Sequence, residues 1–213
     1  MRIKAHQHKR KNGQIVPGAT SVIGNNLGWN KNILIQWARR EALAGHDPTL
    51  VIDKSKLIGL ATHQLIQNDL QKKAKKMDYP PSVMVVANKY YREFKAFEEQ
   101  YVFKYKYIEK ELIHPTMDYG GTIDAIAYDE NELSYCLLDW KSGRNIYPEN
   151  WMQMAAYVHL IKDCLDVNIR RIYLVHLAGR GGMDIHIKHD SELKHYWMVF
   201  QNLLALQNLR TLI

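Results

Sequence analysis

Residues 120–141 read GGTIDAIAYDENELSYCLLDWK. Two apolar runs, Gly121 to Tyr128 and Tyr135 to Lys141, flank Asp129, Glu130 and Asn131, residues that favour a tight turn, so the spacing predicts two adjacent antiparallel strands. Strand side chains alternate between faces, which puts Asp139 and Lys141 side by side on one face and Trp140 on the other. The turn makes the strands neighbours, so Asp124 can converge with Asp139 at one end of the pair. Converging carboxylates repel unless something positive lies between them, and hard divalent cations such as Mg²⁺ or Mn²⁺ prefer such oxygen ligands. An Asp-x-Lys pair on a solvated strand contributes little. Here, however, Asp139 follows Cys136, Leu137 and Leu138, and a charge that ends a buried strand needs a partner.

Downstream, a helix is expected over about Pro148 to Asp163, where Gln153 and Tyr157 are four apart and share one face. Strands follow at Arg171–Leu177 and Met183–Lys188, joined through Gly179, Gly181 and Gly182, and an amphipathic helix over about Ser191–Leu212 closes the chain. Upstream, helical periodicity covers Asn30–Leu43, then about Lys54–Lys76, whose end carries Lys72, Lys73, Lys75 and Lys76. A third helix is opened by Pro80 and Pro81 and runs to about Gln100. Its Tyr90, Tyr91, Phe94 and Phe97 read as packing residues. Tyr101–Leu112 alternates as a strand. The order implies an α/β fold with a mixed central sheet flanked by helices. Residues 1–18 are basic and broken by Gly13, Pro17 and Gly18 and read as a flexible N-terminal arm or loose hairpin, leaving 19–213 as a single domain.

The chain has 213 residues, with 29 lysines and arginines against 22 acids, a formal charge of +7. That balance makes a polyanion the first partner to test. Cys136 and Cys164 are the two cysteines, too few for a disulfide framework, a four-thiolate zinc site or a cysteine-ligated iron–sulfur cluster. The charged N-terminus is not followed by the apolar core of a secretory signal, and no stretch approaches the roughly 20 apolar residues that span a bilayer. The expectation is a soluble, cytoplasmic protein with no membrane partner.

Taken in order, Gly121-Thr122-Ile123-Asp124, Asp139-Trp140-Lys141 and Gln153-Met154-Ala155-Ala156-Tyr157 resemble the GxxD, (D/E)xK and QxxxY motifs of RecB-like PD-(D/E)XK nucleases. Thr20 to Gly24, with Trp37 further on, is similar to the opening of phage and mitochondrial genome-maintenance members. The resemblance implies the PD-(D/E)XK core and a Mg²⁺- or Mn²⁺-dependent deoxyribonuclease, commonly an exonuclease on single-stranded or end-containing DNA in replication, repair or recombination. The implied metal ligands are Asp124, Asp139, the backbone carbonyl of Trp140, an upstream acid matched by Glu111, and His63 from an earlier helix. Glu109 competes with Glu111 for the acidic role. Lys141 would orient the attacking water, Gln153 would orient Lys141 or the substrate, and Tyr157 would support that arrangement or contact a phosphate. Arg39, Arg40, Lys89 and Arg144 are candidate phosphate contacts because a nucleic-acid path needs positive charge beside the metal. The iron–sulfur cysteines of CRISPR-associated relatives are missing. So is a helicase segment, so a helicase or single-strand-binding partner is expected if the enzyme does not act alone, and the resemblance allows an oligomer. Two other readings remain at this point: a structure-selective endonuclease, and a binding module on the same fold without cleavage.

Overall fold

The structure, a computed structural model, describes all residues except 1–7, 144, 180, 181 and 211. It begins with a short hairpin of β1 (His8–Lys9) and β2 (Ile15–Val16), followed by helices α1 (Ala19–Asn26), α2 (Lys31–Leu43), α3 (Pro48–Leu70) and α4 (Pro81–Glu98). Strands β3 (Phe103–Ile113), β4 (Gly120–Asp129) and β5 (Ser134–Lys141) come next, then α5 (Pro148–Leu165), β6 (Ile169–Leu177), β7 (Met183–His189) and α6 (Lys194–Leu209). The main sheet has the order β3-β4-β5-β6-β7. Every pairing in it is antiparallel except β5 with β6. A parallel neighbour needs a crossover rather than a hairpin, and α5 supplies it. This is the expected α/β architecture, a mixed sheet flanked by helices.

Both faces of the sheet are covered, which is why its central strands are apolar throughout rather than alternating. Ile126, Leu137 and Leu174 face α1, α5 and α6, where they meet Val22, Met154 and Phe200. Ala125, Leu138, Trp140, Tyr173 and Val175 face α3 and α4, meeting Ile66, Phe94 and Phe97. The Phe94 ring stands edge-on to Trp140 at 4.9 Å, a favoured aromatic geometry. Phe94 and Phe97 are packing residues, as expected, and the strand carrying Asp139 and Lys141 is clamped from both sides.

Three local expectations change. Helix α3 starts at Pro48, not near Lys54, because the Asp47 side chain accepts the Thr49 N–H at 2.8 Å and Pro48 occupies the first turn, a strong start signal. It ends at Leu70 rather than Lys76. Lys72 takes a left-handed φ of 51°, and Lys72, Lys73, Lys75 and Lys76 lie in the loop that follows instead of on a helix terminus. Residues 8–18, read as a flexible arm or loose hairpin, form the hairpin and are tied down rather than loose: His8 is buried, Arg10 donates to the carbonyls of Pro115 and Met117, and the Gly120 N–H donates to the Pro17 carbonyl at 3.0 Å. The physical reason is that this hairpin gains hydrogen bonds from the loop after β3. Residues 1–7 lie outside the described residues. Among the described residues no helix is long and apolar enough to cross a membrane.

Candidate active site

The β4–β5 ladder runs from Asp129 opposite Ser134 to Ala125 opposite Leu138 and stops there. Trp140, two residues further along β5, pairs with Val175 of β6 but has no strand to meet on the β4 side, and buried backbone groups demand partners. Side chains supply them. Asp124 Oδ2 accepts the Trp140 N–H at 2.9 Å, and His63 Nε2, from α3, lies 3.1 Å from the Trp140 carbonyl. A carbonyl only accepts, so Nε2 carries the hydrogen. That leaves His63 Nδ1 facing Asp124 Oδ1 at 3.5 Å and Glu109 Oε1 at 3.7 Å.

His63, Glu109 and Asp124 each offer a ligand atom, and these atoms lie within 4.8 Å of one another. Burial works against a charge on His63, but the Asp124 and Glu109 carboxylates outweigh it and hold the imidazole well above its ordinary range. Burial likewise pushes Asp124 up, yet His63, Lys141 and the Trp140 N–H together hold it below the ordinary carboxylate range. For Glu109 burial prevails and the carboxyl is raised, with Asp124 adding to the rise against His63. In the metal-free chain the His63 imidazolium thus supplies the positive charge that the two acids require.

Asp139 is 1% exposed. Its Oδ2 lies 2.7 Å from Lys141 Nζ as an ion pair, without an oriented hydrogen-bond donor. Burial pushes its carboxyl up to about 6, against the pull of Lys141 and with help from Asp124. Lys141 donates to Gln153 Oε1 at 2.9 Å, so the ammonium is held between β5 and α5. Tyr157, one helical turn beyond Gln153, is raised by burial and then by the Asp139 charge. A Cβ at Gly121 would fall 2.4 Å from the Tyr157 ring. Only a residue without a side chain lets the tyrosine lie against β4, and this ties the glycine of the first motif to the tyrosine of the third.

The structure thus brings together His63, Asp124, Asp139, the Trp140 carbonyl, Lys141, Gln153 and Tyr157. It does not bring in Glu111, and the correction has a geometric cause. Ile108 pairs with Ala125 and Lys110 with Ile123, so Glu109 stands opposite Asp124, with a left-handed φ of 50°. Glu111 stands opposite Thr122 and meets His8 Nδ1 of the N-terminal hairpin at 2.8 Å. Arg39 and Arg40 are exposed on α2 and Lys89 on α4, outside the cluster, and Arg144 lies outside the described residues. One residue escaped sequence reading altogether. His176, opposite Lys141 on β6, lies with Nε2 2.6 Å from the Gly143 carbonyl and fixes the backbone just after the lysine. Nothing in an apolar strand pattern marks a histidine for that task.

The donor set fits a hard divalent cation: two or three carboxylates, one carbonyl and one imidazole, with a buried Asp139 oxygen lacking an oriented donor. No family model matches the chain and no curated protein matches it. Among solved structures, LHK-Exo in complex with dAMP is similar at 11% identity over 90% of this chain and 89% of that one, with a TM-score of 0.42. The alkaline exonuclease LHK-Exo from Laribacter hongkongensis is similar at 11% identity over 89% and 88%, with a TM-score of 0.38. SSO0001 is similar at 14% identity over 59% and 62%, with a TM-score of 0.31.

Proposed function

We propose that the chain is a divalent-metal-dependent nuclease that hydrolyses DNA phosphodiester bonds from strand ends. The observation that carries this reading is the convergence, at the point where β4 and β5 part, of His63, Glu109 and Asp124 on an oxygen-rich cluster next to Asp139 and Lys141. Glu109, Asp124, Asp139, the Trp140 carbonyl and His63 would hold Mg²⁺ or Mn²⁺. Such an ion, when bound, lowers the pKa of a water and withdraws charge from a phosphoryl oxygen.

The remaining steps belong to the side chains. Lys141, fixed by Asp139 and Gln153, offers an ammonium to the attacking water or to a phosphoryl oxygen and stabilises the charge that develops there. Gln153 keeps that ammonium aimed, and Tyr157 supports Gln153 from the next turn. His63 must give up its Nδ1 proton to ligate, so metal uptake and proton release are coupled. A formal charge of +7 suits a polyanionic substrate. The choice of DNA, and of attack from ends, rests on the three-motif resemblance.

The test is degradation of end-labelled single-stranded, double-stranded and closed circular DNA with Mg²⁺ or Mn²⁺, comparing the native chain with Asp139→Asn and Lys141→Ala. Loss of linear DNA by the native chain alone, with circles spared, is the expected result. Cleavage of circles transfers the reading to an endonuclease. Binding without cleavage by either metal, in protein that is folded, replaces it with a binding module.

A further inference from the structure

Helix α2 departs from the pattern of every other long helix here. It has 13 residues and none is buried. Together with the turn through Gly45 and the first half of α3 it forms a helical hairpin at the side of the core, tethered at its start by the Asn30 side chain donating to Glu149 of α5. Six large apolar side chains on this hairpin, Trp29, Ile33, Leu34, Ile35, Leu43 and Leu50, are between 58% and 78% exposed. A single exposed leucine needs no explanation, but six large apolar side chains exposed within one short helical hairpin mark an interaction surface.

We propose that this hairpin is the surface through which two copies of the chain associate. The first argument is area. Six side chains of this size, each leaving on the order of 100 Å² open, offer about 600 Å² per copy before any polar rim is added, close to the ~800 Å² per partner of a standard interface. The second is charge. The same hairpin carries cations at Lys31, Arg39 and Arg40 and acids at Glu41, Asp47 and Asp53, so a two-fold arrangement can set each sign of one copy against the opposite sign of the other. The third is the type of side chain. Ile33, Leu34 and Ile35 are consecutive, so they span more than one side of the helix and call for a partner that encloses it. Nucleic acid is gripped through phosphates and aromatic stacking, and four of these six side chains are aliphatic residues on α2, which do neither. This surface lies outside the catalytic cluster and does not depend on the nuclease reading.

The experiment is sedimentation velocity of the full chain in EDTA from about 1 to 100 µM, on native protein, Leu34→Glu/Ile35→Glu and, separately, Leu43→Glu. Thermal melts by far-ultraviolet circular dichroism run alongside, since these side chains face solvent and their replacement leaves the core intact. The native chain is expected to shift with concentration from 24.9 kDa towards twice that mass, and each variant to weaken association by at least about tenfold with an unchanged melt. A native chain that stays monomeric throughout, or variants that dimerise as well as native, overturns the proposal. So does an unchanged mass combined with a tenfold loss of binding to a fluorescent single-stranded oligonucleotide, which assigns the hairpin to nucleic acid.

Discussion

Replacing Asp139 by asparagine should stabilise the metal-free protein, although it breaks a 2.7 Å ion pair with Lys141. Two effects compete at this side chain. The Lys141 ammonium favours the carboxylate, whereas burial and the neighbouring Asp124 charge disfavour it, and the balance leaves the carboxyl raised from 3.8 to about 6. A folded-state pKa above the unfolded one means that the contribution to stability is fully present below pH 3.8 and is lost as pH rises through 6. Two pKa units and a little more, at about 1.4 kcal/mol each, put the loss at about 3 kcal/mol above that window. Asparagine keeps the shape and never ionises, so it escapes this loss. At roughly 2–4 °C per kcal/mol for a chain of this length, the gain is about 6–12 °C in Tm at pH 7.5 in EDTA, vanishing near pH 4. The assay is thermal unfolding across that pH range. Adding Mg²⁺ should then raise the Tm of the native chain and not that of the variant, because only the native site has the ligand charge to bind it. A variant less stable than native at pH 7.5 in EDTA would refute the reasoning, showing that the ion pair outweighs burial.

Further outcomes follow from the same geometry. Glu109→Gln should weaken Mn²⁺ binding by at least about tenfold, measured by calorimetry, whereas Glu111→Gln should leave it within about twofold; the reverse order would restore Glu111 to the metal site. Gly121→Ala forces a Cβ to within 2.4 Å of the Tyr157 ring and should cost about 1–3 kcal/mol in urea unfolding, with part of the loss recovered in Gly121→Ala/Tyr157→Leu; an unaffected single variant would sink the packing argument. Phe94→Ala removes a fully buried ring that meets Trp140 at 4.9 Å, so a loss of about 3–5 kcal/mol is expected. Metal affinity should rise between pH 6 and pH 8, since the raised His63 and Asp139 must shed protons to ligate; a flat affinity profile would exclude them as ligands.

The electrostatics and the packing serve the same end. Asp124 and Asp139 are buried and Glu109 is partly buried beside them, and the fold holds these carboxylates together on β3, β4 and β5 under α3, α5 and the aromatic clamp on Trp140. Such crowding lowers stability and is tolerated where binding or chemistry repays it.

The sequence by itself determined the strand pair, the shared face of Asp139 and Lys141, the shared face of Gln153 and Tyr157, and the mixed sheet, because alternation and helical repeat are local properties written in neighbouring residues. It matched the upstream acid to Glu111, whereas the structure sets Glu109 beside His63 and Asp124. Two positions apart on one strand, the two glutamates have the same parity, and only the register of β3 against β4 sets one opposite Asp124 and the other against His8. Nor could the sequence find His176, whose task depends on a loop 33 residues away. Those outcomes are tertiary because each depends on which segment lies alongside which, and that is decided by packing the whole sheet between its helices.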